Sequence, residues 1–248
     1  MPDLKLIKIK SEMLLRKAGN KFGVDVKMTD EEILVKQLIH NKIDVIFDIG
    51  ANTGQFARML FKLGYAGRIV SFEPLTEAYN KLIADSKKFK GWEVAERCAI
   101  GEEDGEIEMH ISENSISSSA LNILDEHVSA APGSKYIGIE KVKVYKLDTV
   151  GKIYAGNSKN ILLKIDTQGF EEKILSGADK FLGEVKGLLV ETSLVKLYEG
   201  QALFREIYDS ITARGFEVCG IQPAFVNKET GRVLQVDALF FRPSALRI

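Results

Sequence analysis

Two rhythms of apolar residues alternate along most of this chain. One is a short, nearly unbroken apolar run, seen at residues 44–49, 68–72, 92–100, 160–166 and 186–191; such runs predict strands covered on both faces. The other is the helical period of three and four, seen at residues 55–63, 76–87, 170–176 and 202–214, with Gly64, Gly177 and Gly215 standing at or just past helix ends. Strand, helix, strand, helix, strand is the grammar of a doubly wound parallel sheet. Two segments at the C-terminus, 216–226 and 233–241, flank Asn227-Lys228-Glu229-Thr230-Gly231 and predict a β-hairpin at the sheet edge.

The pattern changes at two places. Residues 105–111 and 142–147 alternate like half-exposed strands, and the Ser-, Asn-, Ala- and Gly-rich stretch 112–138 between them is too long for an ordinary connection, so it predicts a lid. Ahead of the first strand, residues 4–19 read as an amphipathic helix. Thr29 with Glu32 forms a capping box that opens a second helix over Ile33, Leu34, Leu38 and Ile39. The expected division is a helical segment, 1–43, and a ligand-binding domain, 44–248, with an insertion at about 105–147.

Between the first strand and its helix lies Asp48-Ile49-Gly50-Ala51-Asn52-Thr53-Gly54, and Glu73-Pro74 ends the second strand. Glycines let backbone approach a ligand, and an acid about 20 residues on can accept from ribose hydroxyls; Glu73 is 23 positions past Gly50. A dinucleotide would need a third glycine for its pyrophosphate, and Asp48 would repel that group. A ligand carrying an ammonium and a sulfonium fits an acidic site instead. The expected cofactor is therefore S-adenosylmethionine, held by Asp48, Gly50, Asn52, Gly54, Glu73 and Pro74, with Ala99 at the end of the third strand for the base. The expected fold is α/β: a Rossmann-like, seven-stranded, mostly parallel class I methyltransferase sheet with an antiparallel C-terminal hairpin strand and helices on both faces. An NAD(P)-dependent oxidoreductase and a catalytically silent binding protein of the same fold are the alternatives.

Bulk properties narrow the partners. The net charge of −1 over 248 residues gives no basic field for nucleic acid. Cys98 and Cys219 form no CxxC pair, and no histidine has ligand spacing to them, so both are expected to be reduced thiols in a cytoplasmic protein. No run approaches the ~20 apolar residues of a spanning helix, so no stable membrane insertion is expected. A homodimer is compatible with the sequence.

Four segments resemble the FkbM family of methyltransferases: 47–55, 71–74, 163–171 (Leu-Lys-Ile-Asp-Thr-Gln-Gly-Phe-Glu) and 235–240. The resemblance implies methylation of a hydroxyl on a sugar, glycan or secondary metabolite. The family usually carries an acid where this chain has Gln168. It also carries small polar residues in the lid region, which makes Ser119, within Ser117-Ser118-Ser119, a candidate cofactor contact.

For the chemistry, Asp166 at the end of the fourth strand is the first candidate, as a base or as a group that orients the acceptor hydroxyl; capping of the next helix is its bland alternative. Glu191, ending the fifth strand, is a second carboxylate. The two together are the pair that would hold Mg²⁺, although no metal is expected. His110, at the end of the strand before the lid, is a candidate base because imidazole titrates near neutrality. After the fourth strand stands Asp166-Thr167-Gln168-Gly169 rather than the Asn/Asp-Pro-Pro-aromatic string suited to planar amines, which favours an oxygen acceptor. Substrate choice is expected in residues 112–138 and the N-terminal helices.

Overall fold

In the computed structural model, residues 27–243 are described; the helix expected at 4–19 lies outside them. Among the described residues, seven strands form one sheet in the order β3-β2-β1-β7-β8-β10-β9. These are β1 (Val45–Ile49), β2 (Arg68–Phe72), β3 (Trp92–Val94), β7 (Ile161–Ile165), β8 (Val185–Ser193), β9 (Glu217–Val226) and β10 (Val233–Phe241). β1 pairs in parallel with β2 and β7, and β8 continues the parallel set. β10 inserts antiparallel between β8 and β9. The fold is the expected mostly parallel α/β sheet.

Alternation within the strands decides what covers each face. Val45, Phe47 and Ile49 point into one apolar cluster with Leu147, Ile174, Leu175, Ile207 and Ile211. Those residues come from helices Leu147–Ala155, Glu171–Ser176 and Phe204–Ala213. Ile46 points the other way, into a cluster with Leu34, Val35 and Leu38 of α1 (Asp30–His40) and Ala57, Leu60 and Phe61 of α2 (Gln55–Lys62). Thr29 and Glu32 make the expected reciprocal capping box at the start of α1.

Two local expectations are corrected. The apolar run 92–100 is two strands. Ala95 N–H makes a last bond to Ser71 O, Glu96-Arg97 turns the chain outward, and β4 (Ala99–Ile100) joins a second sheet, β4-β6-β5. That sheet contains β5 (Gly105–Ser112) and β6 (Tyr136–Tyr145), which pair antiparallel and carry the 113–135 segment at their far end. The pairing puts β6 six residues earlier than the alternation at 142–147 suggested. Residues 147–155 are helical despite Gly151. Its position is set by packing, since a Cβ there would stand 2.6 Å from the Phe181 ring.

Candidate active site

A cavity of about 790 Å³ opens at the C-terminal ends of β1, β2, β7 and β8, where ligands of open α/β sheets bind. Its first wall is the glycine loop. Gly50 sits at φ +77°, and a Cβ there would lie 1.9 Å from the carbonyl oxygen of Asp166. The absence of a side chain therefore lets the ends of β1 and β7 touch. Asn52 N–H donates to Glu73 Oε2 (2.8 Å), and Leu75 N–H donates to Oε1 (2.9 Å). Glu73 is thus buried and anchored at both oxygens, with burial pushing its pKa up to about 7 against those two bonds. Gly50, Asn52, Glu73, Pro74 and Ala99 all line the cavity.

Other expected contacts stand elsewhere. Asp48 is fully buried beneath the loop and is absent from the cavity wall. Its neighbours across the sheet are Ser71 and Lys164, in register on either side. Ser71 Oγ donates to Asp48 Oδ2 (3.3 Å), while Lys164 Nζ is 3.2 Å from Asp48 Oδ1. Burial raises the Asp48 pKa and Lys164 opposes the rise. Gly54, at φ +85°, faces the Trp92 ring, where a Cβ would stand 2.5 Å away; it packs the loop rather than lining the cavity. Ser119 is buried, with Oγ donating to Gln168 O (2.7 Å), and Ser115 and Ser118 line the cavity in its stead. His110 is outside the cavity wall, stacked on Tyr136 at a centroid distance of 4.7 Å. The Asn52 amide donates to Ser115 O (3.1 Å), so its side chain ties the lid segment to the glycine loop.

The second wall is a row of carboxylates. Asp166 follows β7 directly, and its side chain keeps a third of its surface exposed toward the cavity. Asp166 does not cap the following helix, which begins at Glu171 without a side-chain cap; Glu171 instead holds the turn before it. Glu171 Oε1 accepts from Thr167 N–H (3.0 Å), Gly169 N–H (3.1 Å) and Thr167 Oγ1 (3.2 Å). Lys164 Nζ reaches Asp166 Oδ2 at 3.2 Å as well as Asp48, so one buried ammonium serves two carboxylates. Burial opposes its charge, but the two carboxylates outweigh burial and raise its pKa.

Gln168 organises the row. It is buried at φ +57°, a left-handed backbone that costs a non-glycine residue roughly 1–2 kcal/mol. Its two amide hydrogens have two acceptors: Nε2 is 2.9 Å from Asp166 Oδ1 and 2.7 Å from Glu191 Oε2. The Tyr198 hydroxyl donates to Gln168 Oε1 (3.0 Å), and Gln235 Nε2 donates to Glu191 Oε2 (2.9 Å). A neutral amide therefore bridges the pair of acids considered for Mg²⁺. Among the described residues, no three His, Cys, Asp or Glu side chains converge as a metal site.

Asp237 escaped the sequence reading. It faces Glu191 across the β8–β10 pair and lines the same cavity. Burial, then the nearby Asp166, push its pKa up to about 6. Its signal was there: Gln235 and Asp237 alternate as the two polar residues on one face of an otherwise apolar strand.

The ionisable side chains on this wall are nearly all acids. Asp30, Glu31, Glu73, Asp166, Glu191 and Asp237 line the cavity, and Lys164 alone opposes them among the described lining residues. Such a site suits a cationic ligand and repels pyrophosphate.

Comparison with known proteins gives the family. The FkbM methyltransferase domain matches residues 48–218. The 2-O-methyltransferase NoeI of Sinorhizobium fredii is 26% identical over 181 residues, covering 71% of this chain and 74% of its own. Among solved structures, TehB from Haemophilus influenzae is 11% identical at a TM-score of 0.47, over 92% of this chain and 66% of the TehB chain, just short of two thirds of its length. Magnesium protoporphyrin IX methyltransferase from Synechocystis PCC 6803, solved with bound S-adenosylmethionine, is 9% identical at a TM-score of 0.44, over 93% and 96% of the two chains. The family match takes in the glycine loop, the Glu73 turn, the 113–135 segment and the Asp166–Glu171 turn, and on that ground the chain belongs to the FkbM methyltransferase family.

Proposed function

We propose that the protein transfers the methyl group of S-adenosylmethionine to a hydroxyl oxygen of a sugar, glycan or secondary metabolite. The observation that carries this reading is the stretch of cavity wall where Glu73, Asp166, Glu191 and Asp237 face a single lysine, built around a glycine loop that leaves room for a nucleoside. The name of the NoeI relative supports an oxygen acceptor. In this reading Glu73 accepts from the ribose hydroxyls, and Ala99, with Phe72 and Ile100 beside it, borders the base.

S-adenosylmethionine supplies an electrophilic methyl on a sulfonium; the C–O bond forms as the C–S bond breaks, leaving a thioether. The residues' part is to place the hydroxyl and take its proton. Asp166 is the carboxylate open to the cavity, and its Oδ oxygens receive that proton. Gln168 and Lys164 fix its direction before the hydroxyl arrives. Glu191, held by two amides, is a supporting carboxylate rather than the base.

No dinucleotide reading survives this electrostatics, because Lys164 is already engaged by Asp48 and Asp166. The net charge of −1 gives no global basic field for nucleic acid. Among the described residues, no helix is long and apolar enough to cross a membrane. Both cysteines are free thiols, which is consistent with a cytoplasmic enzyme.

The reading is tested by binding and by pH. Calorimetric titration with S-adenosylhomocysteine is expected to saturate, and no detectable binding would refute the assignment. With Glu73 near 7 in the apo protein, affinity is expected to rise with pH and approach about tenfold per unit below that value, because the ribose hydroxyls need an ionised acceptor. The linked stability runs the opposite way. From 4.5 to about 7 the folded apo protein keeps a proton that the unfolded chain has released, so stability falls as pH rises through that window and levels off above it. A pH-independent affinity would remove Glu73 from the ribose.

Gln168→Glu supplies a further check. A third carboxylate between Asp166 and Glu191 raises the pH at which the base ionises. The acidic limb of the kcat profile is expected to move up by about one unit. An unmoved limb would separate Gln168 from the titrating group.

A further inference from the structure

The cavity continues past Asp166 and Glu191 into an arm that the cofactor reading leaves unused. This arm lies over the sheet face between α1 and β9. Ile33 of α1, Phe56 and Met59 of α2, Leu239 of β10, and Ile221 and Pro223 of β9 line it. Asp30 and Glu31 stand at the α1 end, and Asp237 stands where the arm meets the carboxylate row. Among the described lining residues there is no arginine and no histidine, and the single lysine already sits between Asp48 and Asp166.

We propose that this arm is the acceptor subsite, and that it takes an uncharged acceptor whose hydroxyl-bearing group is joined to an apolar body. The proposal rests on the methyltransferase reading of the site and adds the acceptor's class to it. Three features carry it. The arm is continuous with the carboxylate that takes the hydroxyl proton, so a ligand lying in it presents an oxygen beside Asp166. Its walls are aliphatic, aromatic and thioether groups from four separate elements, which hold apolar surface better than a free polyhydroxyl sugar. Its charged members among the described residues are acids with no cation to spare, beside the neutral amides of Gln37 and Gln222, so an acceptor bearing phosphate, sulfate or carboxylate meets like charge at both ends. Residues near 30, 56, 221 and 237, rather than the 112–138 lid, then set acceptor choice.

The test uses the full-length protein saturated with S-adenosylhomocysteine and three probes: glucose, n-hexyl β-D-glucopyranoside and n-hexyl phosphate. Calorimetry is expected to show the hexyl glucoside binding at least about tenfold more tightly than either glucose or hexyl phosphate. Ile221 is half exposed on the edge strand, so Ile221→Glu leaves the core intact. That variant is expected to weaken the hexyl glucoside by about tenfold or more while S-adenosylhomocysteine affinity stays within about twofold. Asp30→Asn with Glu31→Gln, both exposed, is expected to narrow the gap between hexyl phosphate and hexyl glucoside by about threefold or more. Equal binding of glucose and hexyl glucoside, or no effect of either variant, with S-adenosylhomocysteine still bound, overturns the arm as acceptor subsite. Failure to bind S-adenosylhomocysteine at all overturns the cofactor reading itself.

Discussion

Replacing Asp166 by Asn is expected to lower kcat by about 10²- to 10⁴-fold while S-adenosylhomocysteine affinity stays within about threefold. Asn keeps the shape and can still meet Gln168, but it has no basic oxygen for the hydroxyl proton. The Lys164 ammonium would retain Asp48 as partner, so the fold is expected to survive. Single-turnover transfer of a labelled methyl group to the acceptor that turns over fastest with the wild type measures the rate. Near-wild-type turnover would move the proton to another acceptor, and Glu191, tied to Gln168 and Gln235, would be the next carboxylate to examine.

The second large effect is structural. Gly50→Ala places a methyl 1.9 Å from the Asp166 carbonyl oxygen in a left-handed backbone. The backbone conformation costs about 1–2 kcal/mol and the collision about 1–3 more. At roughly 2–4 °C per kcal/mol for a chain of this size, Tm is expected to fall by about 4–20 °C. Methyl transfer should also vanish below that temperature, since relief of the clash moves the turn carrying Asp166. Gly231→Ala is the control: its φ is +72°, yet nothing lies within 4 Å of the added carbon. Equal melting of the two variants would show that conformation alone, and not the contact with Asp166, accounts for Gly50.

Features encoded within one turn were legible in the sequence. Gly50 to Gly54 and Glu73 obey a spacing fixed by a single strand–turn–helix–strand unit, and the loop and acid meet as that spacing predicts. Asp166 was visible because it ends an apolar run. Contacts that depend on sheet order were not visible. Gln235 and Asp237 meet Glu191 only because β10 inserts beside β8, and no local pattern states that neighbour relation. Asp48 was read as a ligand for an ammonium, but the residue opposite it in the sheet register is Lys164, which neutralises it from within the protein. The break at Glu96-Arg97 was missed because the apolar residues on either side read as one run, although two adjacent charges interrupt it. The helix at 147–155 was missed for the opposite reason: Thr149, Val150 and Gly151 are weak helix formers, and packing against Phe181 decides the outcome.

The acids of the cavity wall also bear on how a catalytic cycle ends. Carboxylates that attract a sulfonium lose that attraction once the methyl has left and sulfur is neutral. Each carboxylate within about 6 Å forfeits on the order of 3 kcal/mol at an effective dielectric constant near 20, before solvent and salt reduce it. The ionised side chains of this wall are therefore expected to favour the sulfonium over the neutral thioether.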